Sequence, residues 1–161
     1  MKDHVIRHEY EIDITNGRCR YTKGQNGGKT PGQIRITYGS WIHRVDWLNE
    51  LPSEALFLCA ITIGEVRKGL TKLPNSSNKE RLTLWLNTLL KEYKERILSI
   101  DLMVCENWGV LQGNAEKAGT PMSSIDSLLA ATTYTHNLIL ATRNESDFSP
   151  SNIPIINPWK L

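Results

Sequence analysis

From Trp47 onward the chain alternates short apolar runs with amphipathic stretches of helical period. The run Leu56-Phe57-Leu58-Cys59-Ala60-Ile61 is continuous and apolar, as in a strand buried on both faces of a parallel sheet. Gly64 to Leu73 then reads as a helix. Leu82, Leu86, Leu89, Leu90, Tyr93 and Ile97 recur at steps of three and four, so they predict one apolar stripe on a helix starting near Asn78. A brief strand follows at Ile97 to Ile100, and then a helix from Leu102 to Ala118 that Gly119 can end in a left-handed cap. A further helix is predicted from Ser124 to about His136. The apolar runs Leu138 to Ala141 and Ile153 to Ile156 supply two more strands, the second at an edge because Pro154 cannot donate to a ladder. Strands alternating with helices predict an α/β fold with a central, mainly parallel sheet flanked by helices.

The first 46 residues have a different character. Glu9 to Ile14 alternates polar and apolar, the period of a half-exposed strand. Asn16 to Gly39 is rich in Gly, Lys and Thr, with Gly27-Gly28 and Pro31-Gly32 as turn signals, and reads as loop. The chain is therefore read as one domain, with an atypical segment at 1–46 and a regular body at 47–161.

Composition narrows the function classes. With 161 residues and 40% apolar content, the chain can bury about 70% of its unfolded surface and needs no disulfide or metal to fold. The net charge of +2 is uneven: residues 1–40 hold seven Lys/Arg against four Asp/Glu, and the remainder twelve against thirteen. A near-neutral body has no field that would draw nucleic acid by charge alone, so such a function requires a local site. Cys19, Cys59 and Cys105 are odd in number and lack Cys-x-x-Cys spacing, which suits buried or free thiols. The sequence has neither a leader-like apolar stretch at its start nor a run of 18 apolar residues, and the expectation is a cytoplasmic protein that does not span a membrane.

In an open parallel sheet, sites form beyond the carboxyl ends of strands. Three acids stand there: Glu65 after the first strong strand, Asp126 in the first turn of a helix, and Asp147 after the strand ending Ala141-Thr142-Arg143-Asn144. Clustered carboxylates suit hard divalent cations, which can activate water in phosphodiester hydrolysis. Each acid also has a structural reading. Glu65 could be a first-turn acid facing the helix dipole, Ser123 and Asp126 have capping-box spacing, and Asp147 could cap a turn before Pro150.

These acids lie in longer strings: Ile61-Thr62-Ile63-Gly64-Glu65 to Gly69, Asp126-Ser127-Leu128-Leu129-Ala130-Ala131-Thr132, Ala141-Thr142-Arg143-Asn144 with Asp147-Phe148, and Ile156-Asn157-Pro158-Trp159. In order and spacing they resemble the PIN-domain ribonucleases of the VapC/FitB toxin type, over residues 47–159, about 70% of the chain. The resemblance implies a PIN fold in which four acids bind Mg²⁺ or Mn²⁺ and cut RNA, with an antitoxin protein as partner and a homodimer as the usual assembly. Glu65, Asp126 and Asp147 match three of those acids, as metal ligands and catalytic residues, and Thr142 and Asn144 match positions that help hold the last acid or a metal-bound water.

The family's first strand ends in Asp-Thr-Asn. The nearest match is Asp13-Ile14-Thr15-Asn16, in which the aspartate stands one residue early, and a one-residue slip turns a strand side chain to the other face. Asp13 is the candidate fourth ligand. The alternative function is a catalytically inactive PIN-like module that pairs with an antitoxin or with itself, with Trp85, Leu86 and Leu89 as candidate contacts.

Other motifs carry less. Gly28-Lys29-Thr30 resembles the end of a phosphate-binding loop, yet the glycine that motif needs five residues earlier is Lys23. His4 and His8 have helical ligand spacing without helix signals, and His136 suits a helix end. Arg67, Lys68, Lys72 and Arg143 could meet phosphates or form a solvated surface.

Overall fold

In the computed structural model the described residues are 55–160, the side chain of Trp159 excepted, together with the backbone of three N-terminal strands. Those strands are β1 (Glu11–Thr15), β2 (Arg18–Thr22) and β3 (Ile34–Ile36). The strand expected within Glu9 to Ile14 is thus present as β1. The loop expected over Asn16 to Gly39 is corrected, since β2 and β3 lie inside it. Arg18-Cys19-Arg20-Tyr21-Thr22 and Ile34-Arg35-Ile36 both carry short alternations that the surrounding Gly and Lys obscure. β1 and β2 pair antiparallel with Asp13 opposite Arg20, in a two-stranded sheet of their own.

The body begins with β4 (Leu58–Cys59), which runs directly into α1 (Ala60–Lys72). A longer strand through Ile61 was expected; the helix claims Ala60 onward, because an apolar run this short suits a buried helix turn as well as a strand. α2 (Ser77–Glu92) starts where the Ser76 hydroxyl accepts from the Lys79 N–H at 3.3 Å. It ends before Ile97, which belongs to β5 (Ile97–Leu98), parallel to β4. α3 (Leu102–Lys117) is capped by Asp101, whose carboxylate accepts from the Val104 N–H at 3.0 Å. It closes as expected on Gly119, at φ 71°, with Gly119 N bonded to Glu116 O and Thr120 N to Ala115 O. Those two bonds form a Schellman cap.

α4 (Ser124–Thr135) ends in the same manner, with Asn137 at φ 51° in the left-handed position and His136 as the cap residue. This helix is the most enclosed of the described helices: Ser127 and every residue from Leu129 to Thr133 are buried. Its buried hydroxyls are satisfied locally. Thr132 and Thr133 donate to the carbonyls four residues back at 2.8 and 2.9 Å, and this lets β-branched polar residues sit inside the core.

β6 (Ile139–Ala141) follows, then α5 (Glu145–Phe148) and β7 (Ile155–Ile156). β6 lies between β3 and β7, all parallel, so the edge position expected for the Pro154 strand is observed. β3, from the N-terminal segment, is thereby hydrogen-bonded into the body, with Ile36 opposite Ala141. The core packs Cys59, Met122, Leu129, Leu140 and Phe148 between helices and sheet. Leu86 is fully buried within α2 and belongs to the interior, not to a docking face. No helix among the described residues is long and apolar enough to cross a membrane.

Candidate active site

α4 is the hub of the candidate site. It packs against α1, which carries Glu65, and against α5, which carries Asp147, while itself carrying Asp126 near its N-terminus. At 3.5 Å the buried Cys59 thiol donates to the Thr132 hydroxyl, tying the start of α1 to the middle of α4. α1 leaves the carboxyl end of β4, in the two-stranded β4–β5 sheet, and α5 lies just past that of β6, in the three-stranded β3–β6–β7 sheet, so two of the three acids follow the carboxyl ends of parallel strands.

Glu65 lies five residues into α1, beyond the first turn, and this corrects the reading of it as a dipole-facing acid; the first turn of α1 holds no acid. Its carboxylate is instead clamped by Lys68, whose ammonium donates to both oxygens at 2.6 Å. Asp126 does form the anticipated cap with Ser123: the Asp126 N–H donates to the Ser123 hydroxyl at 3.2 Å, and that hydroxyl donates to Asp126 Oδ2 at 2.6 Å. Asp147 sits inside α5, exposed, and its Oδ1 accepts from the Ser146 hydroxyl at 3.3 Å. Asn144, rather than Asp147, holds the cap position of that helix. The Thr142 hydroxyl accepts from the Asn144 N–H at 3.1 Å, a tight turn that sets the step from β6 into α5.

A second polar cluster, which the sequence reading missed, pins α5 to the C-terminal turn. Glu145 Oε1 accepts from Lys160 Nζ and from Asn157 Nδ2, each at 2.6 Å, and Asn157 Nδ2 also reaches the Arg143 carbonyl at 3.4 Å. The Lys160 ammonium first, and the Asn157 amide second, hold the Glu145 carboxyl below its ordinary value. The signal lay in Asn157-Pro158-Trp159-Lys160, but only the fold brings that string to Glu145.

Asp13 lies on β1, which among the described residues pairs with β2, whereas a strand beside β6 is β3. The first carboxylate in the sequence after Ile36 is Asp46. The donor chemistry of Glu65, Asp126 and Asp147 fits a hard divalent cation, since all three offer carboxylate oxygens on exposed or half-exposed side chains. Their spacing is not preassembled: among the described residues, no three His, Cys, Asp or Glu side chains are gathered to hold a metal.

Parallel strands thus carry a buried helix bearing Asp126 and, packed against it, the helices of Glu65 and Asp147, and the chain belongs to the PIN-domain family, whose model matches residues 40–149. Its relatives are of the VapC/FitB type. The chain is 33% identical to a VapC ribonuclease of Sinorhizobium fredii over 118 residues, 71% of this chain and 82% of that protein. Toxin FitB of Neisseria gonorrhoeae is 33% identical over 116 residues, 71% of this chain and 84% of its own. The crystal structure of FitAcB from Neisseria gonorrhoeae superposes with a TM-score of 0.69 at 33% identity, covering 73% of this chain and 85% of that one. VapBC-5 from Mycobacterium tuberculosis has a TM-score of 0.64 at 18% identity, over 79% of this chain and 99% of its own, a likeness of fold.

Proposed function

We propose that this protein is the toxin of a toxin-antitoxin pair, a metal-dependent endoribonuclease acting in the cytoplasm on RNA phosphodiester bonds. The observation that supports it is the packing of the Glu65 and Asp147 helices onto the Asp126 helix, in a chain of the VapC/FitB type. In this reading Glu65, Asp126 and Asp147 hold Mg²⁺ or Mn²⁺, which when bound supplies a polarised water and charge for the departing oxygen. Glu65 must first give up Lys68, and Asp126 enters with one oxygen already oriented by Ser123. Thr142 and Asn144 set the turn that delivers Asp147. An antitoxin is the partner by analogy with FitAB and VapBC complexes. A homodimer belongs to the same reading, supported by the exposed Leu102, Met103 and Val110 along one face of α3.

A second reading, an inactive PIN-like protein that still binds an antitoxin, is favoured by one observation: the strand beside β6 is β3, and Asp13 lies in another sheet. One assay separates the two. Purified protein is incubated with a mixed RNA pool and Mg²⁺, with Asp126→Asn as control. Cleavage lost in the variant, with the fold intact by circular dichroism, supports the enzyme. A folded wild type that cuts nothing supports the binder, and cleavage unchanged in Asp126→Asn sinks the proposed site.

A further inference from the structure

Asp126 is held from two sides by residues outside the acid set. On one side the backbone of its helix turn is anchored: the Trp108 indole N–H donates to the Ser127 hydroxyl at 2.8 Å, and Ser127, fully buried, donates to the Ser124 carbonyl at 3.1 Å. α3 thereby fixes the first turn of α4, and the freedom left to Asp126 is rotation of its own side chain. On the other side stands Ser123, with extended backbone at φ −62°, ψ 152°.

In an ordinary capping box the acid three residues in accepts from the backbone N–H of the cap residue. Here the carboxylate accepts from the cap hydroxyl itself, at 2.6 Å, while that hydroxyl accepts the Asp126 N–H at 3.2 Å. Capping requires only the second of these bonds. The first is short, charge-assisted, and aimed at one oxygen of the acid. Among the described residues, Asp126 Oδ1 accepts no hydrogen bond, so it is the oxygen left for a ligand.

We infer that Ser123 is a positioning residue for Asp126: its hydroxyl selects the side-chain rotamer in which Oδ2 is occupied and Oδ1 is offered to a divalent cation. The inference rests on the metal-dependent reading above. In a site whose carboxylates are not preassembled, orienting one of them in advance lowers the ordering that binding must impose.

The test uses the full chain and two variants. Ser123→Gly removes the hydroxyl while keeping a residue that caps helices well, and Ser123→Thr keeps both functions. The Asp126 χ1 rotamer is read from three-bond couplings to its Cγ by NMR, and Mn²⁺ affinity is read by electron paramagnetic resonance. A single rotamer in wild type, averaging in Ser123→Gly, Mn²⁺ binding about tenfold weaker, the scale of one charge-assisted hydrogen bond, and recovery of both in Ser123→Thr are expected. A single rotamer that persists in Ser123→Gly, or equal Mn²⁺ affinity there, overturns the inference and leaves the proposed function standing. A wild type that binds no Mn²⁺ and cuts no RNA removes the proposed function, and with it the role given to Ser123.

Discussion

Trp108 and Ser127 join two helices through one bond, 2.8 Å from indole nitrogen to hydroxyl, with Ser127 wholly out of solvent. α3 and α4 share the most extensive helix contact in the described fold, and this bond sits beside the residue proposed to bind metal. Ser127→Ala should therefore cost about 1–2 kcal/mol, because it removes the acceptor from a part-buried N–H. A cycle with Trp108→Phe, read by urea unfolding, should show a coupling of at least about 0.5 kcal/mol. Strictly additive losses would mean that the bond is not formed in solution.

Lys68 and Glu65 are exposed and three residues apart on a helix, so their ion pair should add less than about 0.5 kcal/mol to stability. Lys68→Gln should leave thermal unfolding nearly unchanged. It should also lower the Mg²⁺ concentration needed for half-maximal cleavage, since the ammonium no longer competes for both Glu65 oxygens. A raised Mg²⁺ requirement would instead assign Lys68 to the RNA.

Glu145 links stability to pH with a definite sign. Lys160 and Asn157 lower its folded pKa below the ordinary value of 4.5. Its contribution is thus fully present above that value and is lost as pH falls through the folded pKa. Glu145→Gln should be less stable than wild type at neutral pH, and the gap should close in acid below 4.5. A gap that widens on acidification would contradict the contact with Lys160.

Leu102, Met103 and Val110 expose 76%, 61% and 64% of their surface on one face of α3. Leu102→Asp combined with Val110→Asp should weaken self-association by about 2 kcal/mol, roughly thirtyfold, in sedimentation equilibrium, with the monomer still folded. A wild type that stays monomeric at all concentrations ends the homodimer reading.

How much was legible beforehand differs from residue to residue. The caps at Ser123 and Gly119, the helices over 102–117 and 124–135, and the edge placement of the last strand follow from local rules, and the structure shows all of them. The start of α1 was misplaced by four residues, because a continuous apolar run has no period to separate strand from helix. β2 and β3 read as loop in the sequence, because three to five alternating residues among glycines make a weak signal.

The sequence by itself determined the α/β class, the order of the body elements and the three acids with their family, since these depend on periodicity, caps and spacing along the chain. Only the tertiary structure decided that β3 and not β1 stands beside β6, that Lys68 clamps Glu65, that Trp108 braces the Asp126 turn, and that Lys160 reaches Glu145. Strand partners and side-chain bonds across elements are chosen by packing between segments far apart in sequence, and no local pattern encodes that choice.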